Sequence, residues 1–466
     1  MGNIYIAGSF YDTADFDPSP LVTQLISHNF RADIFLAKYN STGDLIWAKG
    51  LGGPNWDYTT DILLEDSSNV YLSGAFWGQV DFDPGPDTSH ITGFGSHDGF
   101  ISKFSSTGGF KFVYRIGSGA RDRVSKLLFN NNHDIVAVGS FEALANMNPR
   151  TLTSNRLTSA GEADVFILRL DTGGYFISAK QIGGTGTVGV SNAVIDNDTL
   201  YLSGPLIAPD YNWLSGNVDF NPNSGVANYS STGREDSYIA KFDPSDNPIW
   251  INQFGGKHQI RIVGFHMISS GNLKLSVGLS DTSIIYSNGI AIDTIVPLNT
   301  SSFLIEVDRL GKYQSLKMFN TSLSIYMTSF DEDSKRNLYS TGSFQGKTDF
   351  NLTATNNYKI PVGQGDIFVM KNFGVLVTSI ITYKDENKSK LKLYPNPTQG
   401  KIKVEFSNSD SRAIVTARDL NGRIISTNVV AKSFNTIELD IVGTSGLYFV
   451  EVNIDGFRQF IKVLKQ

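Results

Sequence analysis

The sequence predicts an all-β chain: a β-propeller of about six four-stranded blades, followed by a small antiparallel β-sandwich. Three observations predict it. A stretch written NVYLSGAF at Asn69–Phe76 recurs along the chain, beginning at Asn3, Asn69, Asp134, Thr199, Asn272 and Asn337, with spacings of 66, 65, 65, 73 and 65 residues. Each recurrence brings short runs rich in Val, Ile, Phe and Tyr, bounded by Gly, Asn, Asp or Ser, and helical spacing is sustained over no long window. After the last recurrence the pattern breaks and a different set of short runs begins. A long, steady period means one structural unit repeated, so the fold follows from the unit.

The second copy shows the elements in order. Its first run is Asn69–Phe76, followed by a polar stretch containing Asp81-Phe82-Asp83-Pro84-Gly85. The second run is Asp98–Phe104, the turn Ser106–Gly109 leads to the third, Phe110–Ile116, and the fourth is Val124–Phe129. Four strands per unit, repeated radially, is propeller arithmetic. Solenoid coils are usually shorter, and separate sandwiches need about a hundred residues each. Runs such as Ile34-Phe35-Leu36-Ala37 are apolar on successive residues, as expected for a sheet covered on both faces. Counting 22 runs from a first run to a final second run leaves the last blade two strands short on this reading. Met1-Gly2-Asn3 also reads like the interior of a repeat, so the expectation is the C-terminal part of a longer protein or a misassigned start, with an intact six-bladed ring as the alternative.

GNIYIAGSF, VDFDPG, DGFISKF and LIWAKGLGG resemble the bacterial β-propeller repeat family labelled SBBP, over residues 1–373. The fifth copy departs most. Val277 stands where the second copy has Gly74, and Glu306 stands where the others have Lys or Arg.

Residues 374–389 read as a linker that runs into a charged stretch, Tyr383–Lys390. Residues 390–466 form a separate module with seven runs: Leu391–Tyr394, Lys401–Phe406, Ala413–Asp419, Arg423–Asn428, Phe434–Asp440, Gly446–Ile454 and Phe457–Leu464. That number in this length suggests a small antiparallel sandwich. Tyr394-Pro395-Asn396-Pro397, Gly400, the turn from Asp419 to Gly422, Gly446, Tyr448 and the basic ending with Lys462 occur in order. Together they resemble the type A C-terminal sorting domain of the type IX secretion system of Bacteroidetes. The resemblance implies a secretion-machinery partner, passage across the outer membrane, and an extracellular or outer-membrane-surface destination. It also implies an N-terminal export signal, which the start of this sequence does not show.

Composition narrows the function classes. There is no Cys, hence no disulfide or thiol chemistry. No apolar run reaches the roughly 18 residues of a membrane helix. The net charge is −6; residues 389–466 carry +4, leaving −10 on the rest, a poor partner for nucleic acid.

Several residues are candidates for chemistry. Asp15 and Asp17, Asp81 and Asp83, and Asp219 with Asn221 place oxygens on alternate residues, an arrangement suited to Ca²⁺. The other reading is that Asp and Pro shape a turn while Phe plugs into the neighbouring blade. No other cofactor is expected. Trp47 and Trp250 track the repeat and belong to packing, whereas Trp56, Trp77 and Trp213 lie in connections, where rings can stack on sugars. The repeated Lys38, Lys103, Lys241 and Lys371, with Arg169, are expected to pair with an Asp of an adjacent strand or blade. No H-E-x-x-H or G-x-S-x-G motif occurs, so no catalytic residue is named, though a carboxylate-pair hydrolase of polysaccharide stays open. The leading expectation is a secreted or surface-displayed binding module for a glycan or surface protein. A passive spacer for further domains is the third reading.

Overall fold

The computed structural model describes residues 2–66, 68–151, 155–208, 216–256, 259–279, 283–295, 301–350, 358–361, 365–372, 392–405, 413–418, 424–430, 436–454 and 457–466. Two compact units divide the chain, 1–377 and 378–466. Both are built of β-strands, and no described helix is long and apolar enough to cross a membrane.

The first unit is a series of antiparallel sheets in chain order. The first sheet contains Ile4–Phe10, Asp33–Tyr39 and Leu45–Leu51. The second contains Tyr58–Glu65, Asn69–Phe76, Asp98–Ser105 and Phe110–Ile116, each hydrogen-bonded to the next. The third and fourth repeat that meander around Ile135–Phe141 and Thr199–Ile207, and the fifth around Leu273–Leu279. The sixth holds Ser324–Glu332, Leu338–Gln345 and Asp366–Asn372. The strand pairing corrects one expectation. The fourth run of each copy opens the next sheet rather than closing its own, as Tyr58–Glu65 pairs with Asn69–Phe76. The first and last sheets therefore show three described strands each, and no sheet is short by two.

The apolar cores lie between consecutive sheets. Ile34, Leu36 and Leu51 of the first sheet cluster with Val70, Leu72 and Phe100 of the second. Tyr71 and Ile101 on the second sheet's other face join Val124, Ile135 and Phe166 of the third. With both faces covered, Val70 through Phe76 are all buried, which is why strict alternation is lost. Each of the second to fourth sheets also carries a small hairpin between its second and third strands, such as Gln79–Asp81 with His90–Thr92; the sequence reading left that stretch as a polar connection.

Two glycine positions explain recurrent letters. The first strand of the second sheet bulges between Thr59 and Asp61, bringing the Tyr58 carbonyl oxygen within 2.0 Å of where a Cβ on Gly74 would lie. Gly139 meets the Arg123 carbonyl and Gly204 the Gly189 carbonyl in the same way. The second position is the Gly-Gly that ends a sheet. A Cβ on Gly52 would strike the Asp33 carboxylate, and one on Gly53 would lie 2.1 Å from the Gln79 carbonyl oxygen of the next hairpin. At that corner the edge strand bridges to the following unit: Gly52 to Asp81, Gly117 to Asn146, and Gly183 to Asp219.

The opposite end of the sheets is stitched by cations. Lys38 donates to the Ser106 carbonyl at 2.8 Å, Lys103 to Thr172 at 2.9 Å and Lys241 to Arg309 at 2.8 Å, each reaching a turn of the following sheet. Each also lies over a tyrosine of its own sheet, namely Tyr5, Tyr71 and Tyr201. The expected pairing with an Asp holds for Arg169 with Asp246 and, at 4.0 Å, for Lys371 with Asp333, while Lys103 pairs with Glu65. For Lys38 and Lys241 the hydrogen-bond partner is instead a backbone carbonyl, which a turn offers at a fixed place in every unit. Trp47 and Trp250 donate their indole N–H to the same carbonyls, Ser106 and Arg309.

In the second unit Lys392–Tyr394, Lys401–Glu405 and Thr436–Asp440 form one sheet, and Ile424–Val430, Ala413–Arg418, Gly446–Ile454 and Phe457–Lys465 form the other. Ile402, Val404, Leu439, Val415, Val450 and Val463 fill the space between them. These are the seven strands expected from the sequence.

Candidate functional site

Two of the three connection tryptophans share one end of the first two sheets. Trp56 sits in the link from the first sheet to the second, and Trp77 directly follows Asn69–Phe76. Asp57 ties the two loops together. Its Oδ2 accepts the Gly53 N–H at 2.8 Å and its Oδ1 accepts the Trp77 N–H at 3.1 Å. Asn55 Nδ2 donates to the Trp77 carbonyl at 3.3 Å. Trp56 and Trp77 remain 38% and 40% exposed. Tyr11 meets Trp56 edge-on at 5.8 Å, Arg31 lies 5.3 Å over the Trp56 ring, and His97 tilts against Trp77 at 5.8 Å. Such a surface offers flat apolar faces with donors beside them, the chemistry that holds a sugar ring or another planar group. Trp213 lies outside the described residues.

The sequence reading missed a set of buried aspartates, one in each of the first four sheets. Asp33, Asp98, Asp164 and Asp236 open their second runs and are 2% exposed or less. Each Oδ2 accepts a backbone N–H from the returning loop: His28, Phe94, Ala160 and Thr232. Desolvation pushes the Asp57 and Asp122 carboxyls up to about 7, and the charges of Asp33 and Asp98 add to the rise. Burial lifts Asp98 to about 6. The recurrence of Asp at the start of each second run was the available signal.

The calcium candidates occupy hairpin turns. Asp81 Oδ1 accepts the N–H groups of Asp83 and Ser89 at 3.0 and 2.8 Å, and Asp83 Oδ1 accepts that of Gly85 at 2.8 Å. Asp15 does the same for Asp17 and Thr23, Asp17 for Ser19, and Asp219 for Asn221 and Ala227. The phenylalanines between, Phe82 and Phe220, are fully buried. These bonds supply a reason for the repeated Asp-Phe-Asp that needs only backbone N–H groups. Among the described residues no three His, Asp or Glu side chains gather as a metal shell. Asp81→Asn keeps the accepting oxygen, whereas Asp81→Ala leaves two N–H groups without it. We expect Asp81→Ala to lower stability by about 1–2 kcal/mol and Asp81→Asn to be nearly silent in urea unfolding. Equal losses, or a calcium-dependent melting temperature, would favour the metal.

In the second unit several of the sorting-signal residues converge on the last strand. Asn396 Oδ1 accepts the Leu464 N–H at 2.9 Å, and the Thr398 N–H donates to the Leu464 carbonyl at 2.8 Å. Lys465 Nζ donates to the carbonyls of Ile441 and Gly443 at 2.9 and 2.7 Å, beside Gly400 in the left-handed region at φ 126°. Tyr448 donates to the Thr444 carbonyl at 2.8 Å, and Tyr394 to Glu405. Pro395, Pro397 and Gly446 flank these contacts in sequence, and Lys462 lies in the final strand. The linker and the turn from Asp419 to Gly422 lie outside the described residues.

An all-β repeat chain ending in a small sandwich clasped by its own C-terminus is the class these features define. Residues 392–466 match the family described as the secretion system C-terminal sorting domain. This is the sorting domain of the type IX secretion system, and the protein is exported to the cell surface or beyond. No curated protein sequence matches the chain. Three solved structures are similar at low scores. They are an extracellular domain of BT4673 from B. thetaiotaomicron (11% identity, 96% of this chain and 87% of that one, TM-score 0.16), dimeric latent PorU from Porphyromonas gingivalis (10%, 99% and 34%, 0.15) and a tetra-tandem repeat from the extending region of a large adhesion protein (12%, 79% and 95%, 0.14). Scores of this size carry no argument about fold.

Proposed function

We propose that residues 1–373 form a six-bladed β-propeller of the SBBP type, joined through residues 374–389 to the sorting domain at 390–466, and that the propeller binds a glycan outside the cell through Trp56 and Trp77. The observation that carries this reading is the shared placement of the two tryptophan loops by one buried carboxylate, Asp57, with both residues left partly exposed. Of the two repeat-bound tryptophans, Trp250 is 4% exposed and Trp47 is half-buried, whereas Trp56 and Trp77 are more open. The polysaccharide-hydrolase reading has less support. The buried aspartates follow the repeat and already accept backbone N–H groups, so they serve corners of the fold. A glycan array with the full chain, with and without calcium, tests the proposal. For a glycan that binds, Trp77→Ala weakens affinity about tenfold, the equivalent of about 1.4 kcal/mol. Silence across glycans, or binding unaltered in the Trp56→Ala and Trp77→Ala variants, would overturn it.

A further inference from the structure

One position in the first sheet departs from the next three sheets. The residue paired across the third strand with Phe100, Phe166 and Tyr238 is Arg115, Gln181 and Gln253. Each carries a planar N–H head to the buried aspartate of its own sheet. Gln181 Nε2 donates to Asp164 Oδ2 at 2.6 Å and to the Thr158 carbonyl at 2.8 Å; Gln253 does the same with Asp236 and Ser230 at the same distances. Arg115 Nε lies 3.8 Å from Asp98 Oδ2, and its Nη1 donates to the Thr92 carbonyl. In the first sheet the residue paired with Phe35 is Gly50. A Cβ there would meet nothing nearer than 3.8 Å, and a cleft of about 330 Å³ opens, lined by Ile26, His28, Asp33, Lys49, Gly50 and Pro84 among others.

The head chosen elsewhere follows the number of carboxylates at each junction. Asp98 is joined by Asp122 of the following sheet, and there the protein supplies a cation, Arg115. At the positions equivalent to Asp122 the next two sheets have Val188 and Ile260, each paired with the counterpart of Phe141, and there the head is a neutral amide. The first junction again holds two carboxylates, Asp33 and Asp57. Asp33 is 2% exposed and its Oδ1 has no hydrogen-bond partner. Two buried carboxylates beside an open cleft call for a cation. His28 covers part of this need: its Nδ1 lies 2.6 Å from Asp33 Oδ2, while its side chain is 61% exposed. Its backbone N–H is the counterpart of that of Phe94, and Arg115 lies 3.6 Å over the Phe94 ring. Lys49, the other cation of the cleft, runs beside the Gly108 turn of the next sheet.

We propose that the cleft at Gly50 is a receptor for a guanidinium group, which would lie against the His28 ring and pair with Asp33, as Arg115 approaches Asp98 at 3.8 Å in the second sheet. The planar fork suits a carboxylate next to a carbonyl better than an ammonium does. This site shares the Asp57 junction with the tryptophan surface, but its test does not depend on glycan binding.

The test is thermal unfolding of the full chain with agmatine, with Ac-Gly-Arg-Gly-NH₂ and with its lysine counterpart. Both guanidines raise the melting temperature by about 2 °C or more near a hundredfold excess over Kd, and the lysine peptide does not. A stronger effect of the tripeptide than of agmatine identifies an arginine side chain as the ligand; equal effects identify a free alkylguanidine. Gly50→Arg, which installs the group covalently, abolishes the response. Arg115→Gly opens the same cleft in the second sheet, so its lowered melting temperature is partly restored by agmatine, and this arm reads out even if Gly50→Arg fails to fold. No response of the wild type to either guanidine, an unchanged response in a folded Gly50→Arg, or no rescue of Arg115→Gly would overturn the proposal.

Discussion

Lys274→Met is expected to destabilise the fifth sheet by about 3–5 kcal/mol, while Lys274→Met combined with Glu306→Met recovers most of the loss. Lys274 and Glu306 face each other in register on adjacent strands, with Nζ 2.9 Å from Oε2, and both are nearly buried. Asn272 Nδ2 donates to the other carboxylate oxygen at 2.7 Å, so Glu306 has a partner on each side. Removing the lysine leaves a buried anion whose remaining partner is Asn272. Water cannot replace the lost partner there, and the cost is that of an unpaired buried charge rather than of one hydrogen bond. Replacing both residues removes the charge together with its need for a partner. Hydrogen exchange along Leu273–Leu279 reads the effect locally, which matters in a chain of consecutive units whose sheets need not unfold together. A loss below about 1 kcal/mol, or a double variant worse than the single, would contradict the buried-pair account.

The same pair shows what the sequence could and could not reveal. Glu306 stood out as a departure from Lys and Arg, because the repeat made the position visible. Its compensation did not, because Lys274 replaces a tyrosine of the first run, and only the pairing of Tyr71 with Lys103 and of Lys274 with Glu306 shows that these positions oppose each other. Strand existence was legible almost throughout: Asn69–Phe76 and Phe110–Ile116 match their runs residue for residue. Hydrophobic runs between turn formers are a local signal. Which sheet a run joins is not local, so the fourth run was placed in its own unit rather than the next. The other departure of the fifth copy has a structural counterpart: opposite the bulge, Val277 takes the place of glycine, and Gly264 appears on the neighbouring strand. At the candidate surface, the tryptophans were visible as residues that break the repeat. Asp57 was not, since its role depends on Trp77, twenty residues away, reaching back to the same corner.

Across the whole first unit, stability is expected to fall as the pH rises from about 5 to about 8. Burial holds Asp57 and Asp122 at about 7 and Asp98 at about 6, and raises Asp33, Asp164 and Asp236 as well. In the unfolded chain these carboxyls titrate near 3.9. Between the two values the folded state retains protons that the unfolded state has released, so unfolding releases protons and every step up in pH favours it. The contribution is fully present below about pH 4 and lost as the pH passes through 6 to 7, a few kcal/mol at most for each group. Glu65 works in the opposite sense. Despite partial burial, its bonds to Lys103, Asn69 and Tyr71 hold it below its usual value, so its stabilisation is present above about pH 4.5 and lost in acid. The optimum therefore lies near pH 5. The charged groups around Asp57 are Asp33 and His28. Asp57→Asn with Asp122→Asn retains an oxygen for the N–H of Trp77 and of Glu142 but not one for Gly53 and Ser118. The double variant is thus about 1–3 kcal/mol less stable at pH 5, where the aspartates are protonated and already neutral, and it gains on the wild type as the pH climbs. Melting temperatures from pH 4.5 to 8.5 should give a clear downward slope for the wild type and a flatter one for the variant. Parallel slopes would mean that the two corners carry no proton, and that the tryptophan surface rests on ionised carboxylates instead.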